Sequence, residues 1–369
     1  MGSRFRAVTS EARDERMAGT SGPEGWRPAV LRRFLLGAEM SAPRSVVLVI
    51  LMWALLAAPP AAGAQPAGTR YRVGVLCPIT CAAPPFEAFR QGLLARGYVE
   101  GRNIAFEYRW ADGKYEKYFD LAADLVGLRV DVIFASGVLP GVLAAKRATT
   151  KIPIVFAGLG EDPVHYGLVQ SLARPGGNVT GLVALYADLV EKQLQLITEI
   201  VPGVSRVAAL WDVGVEKALE PSFKSLAVAA GALGVHPQPV AVRGPEDLAR
   251  AFRAAADARA GALILLPSPI FFWGRVRVAN LAAEHQLPTI SPFVEFAQAG
   301  GLMAYGPNVT SMFGYAASIV DRILQGANPA DLPVEQPTDF EFAINLKTAK
   351  ALRLTIPPAI LMQATKAIQ

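Results

Sequence analysis

The feature that most constrains the fold is an alternation of short apolar runs with helix-length stretches, which begins near residue 71. Runs such as Val130–Ala135 (VDVIFA) and Ile152–Ala157 (IPIVFA) are rich in β-branched and aromatic residues, as strands are. The stretches between the runs carry apolar residues at helical spacing, and Val164–Leu172 is predicted to be a short helix. Strand–helix–strand alternation with short connections is typical of parallel sheets covered by helices on both faces.

The second half of the chain repeats the pattern of the first. VDVIFASG (130–137) resembles AGALILLPS (260–268), and GGNVTGLVA (176–184) resembles AGGLMAYGP (299–307). We therefore predict an α/β fold of two Rossmann-like, doubly wound parallel-sheet lobes that face each other across a cleft. The predicted boundaries are an N-terminal lobe of 65–182 with about 307–336, a C-terminal lobe of 183–306, and a tail of 337–369 of unassigned lobe.

The N-terminal segment predicts export. Residues 45–58 (SVVLVILMWALLAA) are apolar but shorter than the ~20 residues of a membrane-spanning helix. With Arg44 before them and a small-x-small site behind, they predict a signal peptide over 40–64, cleaved after Ala64, and a periplasmic protein. An uncleaved anchor is the alternative. Residues 1–39 are predicted to be a disordered extension or an over-extended start, with a twin-arginine signal at Arg32-Arg33 as the alternative.

The net charge does not favour nucleic acid as a partner. The chain carries 36 basic and 31 acidic residues. Residues 1–64 hold eight of the basic and five of the acidic ones, so the remainder holds 36−8 = 28 and 31−5 = 26, a net of +2. No basic patch with interleaved aromatics is present, so we predict that nucleic acid is not a partner. We also expect the protein to be a monomer.

Three residues separate the two cysteines, Cys77 and Cys81. In an oxidising compartment they could form a disulfide that closes a tight loop, or remain free thiols. The three histidines, His165, His236 and His285, lack ligand spacing, so we predict no metal site.

The sequence lacks the motifs of common enzyme and cofactor sites. It contains no G-x-S-x-G, no phosphate-binding G-x-x-x-x-G-K-[ST] and no H-E-x-x-H motif. The segment from Gly158 to Pro163 (GLGEDP) follows a strand and half resembles a dinucleotide loop, but a proline replaces the third glycine. We interpret it as a strand–helix turn, and predict no catalytic residues and no cofactor.

Small polar and aromatic residues follow several of the predicted strands. Because the carboxyl ends of parallel strands meet at one edge of a sheet, these loops are the candidate site for a small-molecule ligand. Hydroxyl groups could bind a carboxylate, Asp212 an ammonium group, and the aromatic rings a ligand ring. The candidates are Pro78, Ile79, Thr80, Ser136, Gly137, Gly158, Leu159, Trp211, Asp212, Pro267, Ser268, Phe293 and Tyr305. We predict that the aromatic run Phe271-Phe272-Trp273 packs between helices or forms a rim of the cleft.

Several long segments resemble one protein family. They include FRQGLLARGYVEGRNIAFEYRWADG (89–113), SLARPGGNVTGL (171–182) and DRILQGANPADLPVEQPTDFEFAINLKTAKAL (321–352). Over about residues 70–369 the chain resembles the bacterial ABC transporter substrate-binding proteins that include the tryptophan/tyrosine-type periplasmic binding proteins. The loop Cys77 to Pro85 (CPITCAAPP) departs from that pattern.

The resemblance implies a type I periplasmic-binding fold whose lobes are joined by a three-segment hinge. The crossovers are expected near 180–185, near 291–293 or shortly after, and near 305–307. The implied function is capture of a small molecule, such as an amino acid or aromatic solute, for an ABC permease in the inner membrane. The alternatives are a ligand-binding partner of a sensor and a periplasmic enzyme on the same fold.

Overall fold

The computed structural model describes residues 70–79, 84–337 and 340–369, all of which belong to one compact unit, Pro66–Gln369. The predicted extension, the signal peptide, Thr80 and Cys81 lie outside the described residues.

The described residues form strands and helices in alternation. The strands are β1 (Tyr71–Cys77), β2 (Ile104–Trp110), β3 (Val132–Ser136), β4 (Ile154–Leu159), β5 (Val179–Val183), β6 (Arg206–Asp212), β7 (His236–Val242), β8 (Ala262–Leu265), β9 (Thr289–Ser291), β10 (Met303–Pro307), β11 (Phe340–Asn345) and β12 (Lys366–Ile368). The helices are α1 (Pro84–Leu94), α2 (Tyr118–Gly127), α3 (Leu139–Ala148), α4 (Val190–Ile200), α5 (Glu216–Leu233), α6 (Leu248–Asp257), α7 (Pro269–Trp273), α8 (Arg275–Glu284), α9 (Val294–Gln298), α10 (Val309–Leu324), α11 (Leu346–Ala351) and α12 (Pro358–Gln363).

The strands build two sheets, each the centre of one lobe. Lobe 1 is built on a five-stranded sheet of order β2-β1-β3-β4-β5, in which every pair is parallel. Lobe 2 is built on a seven-stranded sheet of order β12-β11-β10-β9-β8-β6-β7, parallel except for β10 with β11. The predicted α/β fold of two doubly wound, parallel-sheet lobes is therefore confirmed.

Burial of both sheet faces explains the continuous apolar strands. All residues of β3, β5 and β8 are buried, because helices cover both sides of a doubly wound sheet. In lobe 1 the rings of Phe89 on α1 and Phe134 on β3 stack with centroids 4.0 Å apart. Helix α10, from much later in the chain, packs on α1 and β4.

The chain passes between the two sheets three times. The first passage joins β5 to α4, and the second joins β10 to α10 at Asn308. The third runs from Glu335, which bridges Leu182 of lobe 1, to Phe340 at the start of β11. The crossover expected near 291–293 is wrong, because β9 and the following α9 both belong to lobe 2.

The C-terminal tail belongs to lobe 2. Strands β11 and β12 extend its sheet, with Ala304 on β10 opposite Ala343 on β11. The antiparallel pairing of β10 with β11 was not expected. It arises because the segment between them first returns to lobe 1 and then re-enters lobe 2 in the opposite direction. The exact predicted lobe boundaries remain a proposal.

The predicted helix over Val164–Leu172 is also wrong, since this segment forms turns. Gly167 has a φ of +63°, in the left-handed region, and Pro163 precedes the segment. Backbone turns stabilise it instead, with the Leu168 and Val169 N–H groups donating to the Pro163 carbonyl oxygen. Within the described ranges, no helix has the length and apolarity needed to cross a membrane.

Candidate functional site

A cavity lies between the two lobes, at the carboxyl ends of their strands. This is where an open α/β sheet places its ligands. Lobe 1 contributes the ends of β3 and β4, and lobe 2 contributes the end of β8 and helix α7. The lining residues used below are Ser136, Gly137, Gly158, Gly160, Glu161, Tyr186, Ser268, Phe272, Trp273, Phe293 and Phe313.

The lobe 1 wall depends on close approach of two backbone segments. A Cβ atom on Gly137 would lie 2.3 Å from the carbonyl carbon of Gly158 and 2.3 Å from the nitrogen of Leu159. Gly158 itself has a φ of +78°, which favours glycine. The turns after β3 and β4 therefore touch at this wall, and the close approach requires a glycine at position 137.

The lobe 2 wall is aromatic. Phe272 lies edge-on to both Trp273 and Phe293, with centroids 4.8 and 5.1 Å apart. Tyr186, from the first passage between the lobes, lies edge-on to Phe293 at 5.5 Å. A Cβ on Gly160 would lie 2.7 Å from Cδ2 of Tyr186, so this ring contacts the lobe 1 turn directly. The rings form an apolar surface suited to a flat or aliphatic ligand.

Two residues that line this apolar cavity each have a buried polar side-chain atom without a hydrogen-bond partner. These atoms are Ser136 Oγ and Glu161 Oε2. Burial raises the pKa of Glu161 to about 8, although the N–H groups of Glu161 and Gly160 oppose the rise. A buried polar atom without a partner is costly, so a ligand group that bonded to either atom would remove that cost.

Asp212 at the end of β6 has three donors within the protein. Tyr115 Oη donates to Oδ2 at 2.9 Å, Ser268 Oγ donates to Oδ2 at 2.7 Å, and the Gly214 N–H donates to Oδ1 at 2.8 Å. Burial raises the pKa of Asp212, and the three hydrogen bonds oppose that rise. Because Tyr115 belongs to lobe 1 and Asp212 to lobe 2, this carboxylate joins the lobes.

Two more contacts cross between the lobes. Tyr166 Oη donates to the Lys217 carbonyl oxygen at 3.1 Å. The Trp273 ring stacks on Phe86 of α1, with centroids 6.3 Å apart and planes 14° from parallel. The structure therefore has its lobes in contact around the cavity.

A second cavity shares Pro78 and Pro269 with the first. Its lining includes Tyr115 and Asp212, and it carries charged side chains of both signs, such as Lys114 and Glu246. Its lining holds more charged residues than the lining of the first cavity.

The structure brings together most of the predicted ligand residues. Seven line the aromatic cavity: Pro78, Ser136, Gly137, Gly158, Pro267, Ser268 and Phe293. Pro78 also lines the second cavity, together with Ile79 and Asp212. Their contact with a ligand stays a prediction, as does the pairing of Cys77 with Cys81, which lies outside the described residues.

Three predicted residues line neither of these cavities. Leu159 is fully buried in the core, and Trp211 packs edge-on to Phe223 with centroids 5.5 Å apart. Tyr305 stacks on Phe340, at 6.2 Å. Side chains alternate between the faces of a strand, so nearness to a strand end does not decide which way each one points.

The sequence interpretation did not identify Glu161, Tyr186 or Phe313 as cavity residues. Glu161 lies in the turn after β4, where a carboxyl group among glycines was the available signal. Tyr186 and Phe313 come from the first passage and from α10, which only the tertiary fold brings to the cavity. Phe272 and Trp273, expected between helices or at a rim, line the aromatic wall.

Two doubly wound lobes with a cavity between them define a two-lobed ligand-binding protein. The chain belongs to the family described as ABC transporter substrate binding protein, whose sequence model matches residues 82–368. The resemblance inferred from the sequence is thereby confirmed.

Relatives and solved structures agree with this assignment. A protein named tyrosine-binding protein, from Clostridioides difficile, is 25% identical over 266 residues, covering 72% of this chain and 75% of that protein. A conserved domain protein from Vibrio cholerae is 28% identical with a TM-score of 0.71, covering 81% of this chain and 100% of that one. An ABC domain from Streptococcus pneumoniae, solved with L-Trp, is 22% identical with a TM-score of 0.70 at the same coverages.

Proposed function

We propose that this protein is the periplasmic solute-binding component of an ABC-type importer, and that it binds an aromatic amino acid between its lobes. The observation that carries the proposal is the aromatic cavity. Phe272, Trp273, Phe293 and Tyr186 line this cavity, and two other lining residues, Ser136 and Glu161, each have a buried polar atom without a partner. A ligand with one flat apolar part and one polar end matches that distribution.

The names of the relatives support an amino acid as the ligand. One is called tyrosine-binding protein, and one neighbouring structure was solved with L-Trp. Lobes already in contact support closure around the ligand, in which binding shifts the population towards the closed form.

A thermal-shift screen against the twenty L-amino acids tests the proposal. A ligand present at 100 times its Kd stabilises the folded state by about 2.7 kcal/mol, so the aromatic members should raise the melting temperature by several degrees. D-tyrosine and glycine serve as matched negative probes. Absence of a shift with every aromatic amino acid, at concentrations up to 10 mM, would contradict the proposed ligand class.

Export and delivery need separate tests. Intact-mass spectrometry of the protein purified from its host should give a chain that starts after Ala64 and is lighter by two hydrogens if Cys77 and Cys81 are joined. Deleting the gene should abolish uptake of radiolabelled ligand if the protein serves an importer. Uptake that persists while a transcriptional response to the ligand is lost would favour the sensor partner instead.

The proposal treats the protein as a binder and not as an enzyme. Ser136 Oγ and Glu161 Oε2 each lack a hydrogen-bond partner, and no histidine is among the residues that line the aromatic cavity in the described part of the chain. Ser268 in that lining does donate to the Asp212 carboxylate, but Tyr115 and the Gly214 N–H donate to the same carboxylate, so we assign Asp212 to holding the lobes and not to activating a nucleophile. Recovery of unaltered ligand after prolonged incubation supports binding alone, and conversion of the ligand would support the enzyme alternative.

A further inference from the structure

The turn after β4 places Glu161 among the residues that line a cavity that is otherwise mostly apolar. Glu161 lines this cavity, its Oε2 atom is buried, and no protein donor reaches that atom. Ser136 Oγ, at the end of the adjacent strand β3, is also buried and unpartnered. Two neighbouring strand ends thus present two unused acceptors at the same wall.

The charges around the cavity are unbalanced. Among the described residues that line it, Glu161 is the one ionisable carboxyl group, and none is lysine, arginine or histidine. The other carboxylate near the cleft, Asp212, already receives donors from Tyr115, Ser268 and Gly214. A buried carboxylate without a partner is unfavourable, whereas one paired with a cationic ligand is stabilised.

We propose that Glu161, assisted by Ser136, determines specificity by binding the protonated amine of a ligand whose apolar body lies against Phe272, Trp273 and Phe293. The ligand class is therefore a primary amine with an aromatic or large aliphatic group. This inference rests on the proposed function and adds which end of the ligand is read, and by which residue.

Proton linkage follows from the same geometry. Because burial raises the pKa of Glu161 to about 8 in the empty cavity, the group is mostly protonated at pH 7. An ammonium group binds the ionised form, so ligand binding must release close to one proton, and affinity must rise with pH between about 6 and 8.

The tyrosines around Glu161 do not titrate in this range. Tyr115, Tyr166 and Tyr186 interact with its charge, and burial first, then nearby carboxylates, raises their pKa values further above the ordinary value for tyrosine. In the chain, Asp162 and His165 are its nearest ionisable neighbours; Asp162 accepts from the Val164 N–H, and His165 lies edge-on to Tyr166. If the Glu161→Gln variant releases no proton on binding ligand, the proton released by the wild type comes from Glu161.

A thermodynamic cycle tests the pairing. Wild type and Glu161→Gln are titrated calorimetrically with L-tyrosine and with 3-(4-hydroxyphenyl)propanoate, which lacks the amine. Removing the amine should weaken binding to wild type at least about 30-fold, and should weaken binding to Glu161→Gln less than about threefold, because truncating one member of a buried charge pair is costly. Equal effects of amine removal in both proteins would overturn the proposal. Ser136→Ala should give the same change in smaller measure.

Calorimetry in phosphate and Tris buffers at pH 7 measures the proton exchange. Wild type should release close to one proton per L-tyrosine bound, and Glu161→Gln should release none. Proton uptake, or an affinity that falls as pH rises from 6 to 8, would mean that protonated Glu161 donates to a ligand acceptor, and the proposal would be wrong.

The two proposals can fail separately. If no aromatic amino acid binds, the proposed function fails, and benzylamine against benzyl alcohol, followed through the Glu161 side-chain carbon by NMR, tests the amine site by itself. Benzylamine at 20 mM should lower the pKa of Glu161 by at least one unit, and benzyl alcohol should not. If neither probe lowers that pKa, the amine site is refuted as well.

Discussion

Replacing Tyr115 by phenylalanine removes one hydrogen bond between the lobes and leaves the ring in place. In the structure the Tyr115 hydroxyl donates to Asp212 Oδ2 at 2.9 Å across the cleft. The carboxylate keeps its donors from Ser268 and Gly214, so it is not left unpaired. The change therefore isolates the contribution of the interlobe bond.

The expected magnitude follows from the charge of the acceptor. A hydrogen bond to a charged group contributes about 1.5–3 kcal/mol, and the open form satisfies both groups with water. We take the lower end of that range because Asp212 keeps two donors, and about 1.4 kcal/mol is a tenfold change in an equilibrium constant. The closed form becomes about tenfold less populated, and the apparent Kd rises about tenfold where the closed form is the minority without ligand.

The assay is calorimetric titration of the amino acid that gives the largest thermal shift, combined with stopped-flow dissociation. Tyr118→Phe is the matched control, because its ring stacks on that of Tyr115 and its buried hydroxyl has no hydrogen-bond partner. Tyr115→Phe should raise the Kd about tenfold and speed dissociation, and Tyr118→Phe should change neither by more than about twofold. Equal effects of the two substitutions would refute the assignment of this hydrogen bond to closure.

Three further predictions concern the walls of the cavity. Gly137→Ala places a Cβ 2.3 Å from backbone atoms and should cost about 1–3 kcal/mol in thermal unfolding, whereas Gly231→Ala, in open space on a helix, should stabilise by about 0.5–1 kcal/mol. Trp273→Ala removes the stack across the cleft and should weaken ligand binding tenfold or more, while Trp110→Ala, 45% exposed on β2, should leave affinity unchanged; the reverse order would contradict the site. Without ligand, stability should fall as pH rises from about 4.5 towards 8, because the folded state keeps the Glu161 proton that the unfolded chain releases; Glu161→Gln should flatten this slope in urea titrations at fixed pH.

Much of the fold could be predicted from local pattern. Runs such as VDVIFA and IPIVFA contain the buried strands β3 and β4, because a strand covered on both faces must be apolar throughout. The two series of strand–helix units correctly indicate two sheets. The segment 164–172 was predicted incorrectly, because apolar spacing alone does not register a glycine at φ +63° or the backbone turns that replace a helix.

The passages between the lobes were only partly predictable. Loops near residues 183 and 307 do cross, yet the third crossing lies between Glu335 and Phe340 and not after β9. The segment after β9 and the segment between Glu335 and Phe340 are both short connections between predicted elements. No local property of such a segment distinguishes a turn within one lobe from a passage between the two sheets. The pairing of β11 with β10 determines where the third crossing lies, and that pairing joins segments about forty residues apart.

The alternation of short apolar runs with helix-length stretches determined the class of fold. It also determined the edge of each sheet at which a ligand would lie. Backbone hydrogen bonding and the burial of apolar faces depend on patterns a few residues long, so they can be predicted from a single sequence. Which side chains share the cavity was decided by the tertiary structure. Glu161, Tyr186 and Trp273 come from a turn, a passage between the lobes and a short helix. They line one cavity because the two lobes bring together surfaces that are distant in the chain. The Oε2 atom of Glu161 is the clearest example, since its lack of a hydrogen-bond partner depends on everything packed around it.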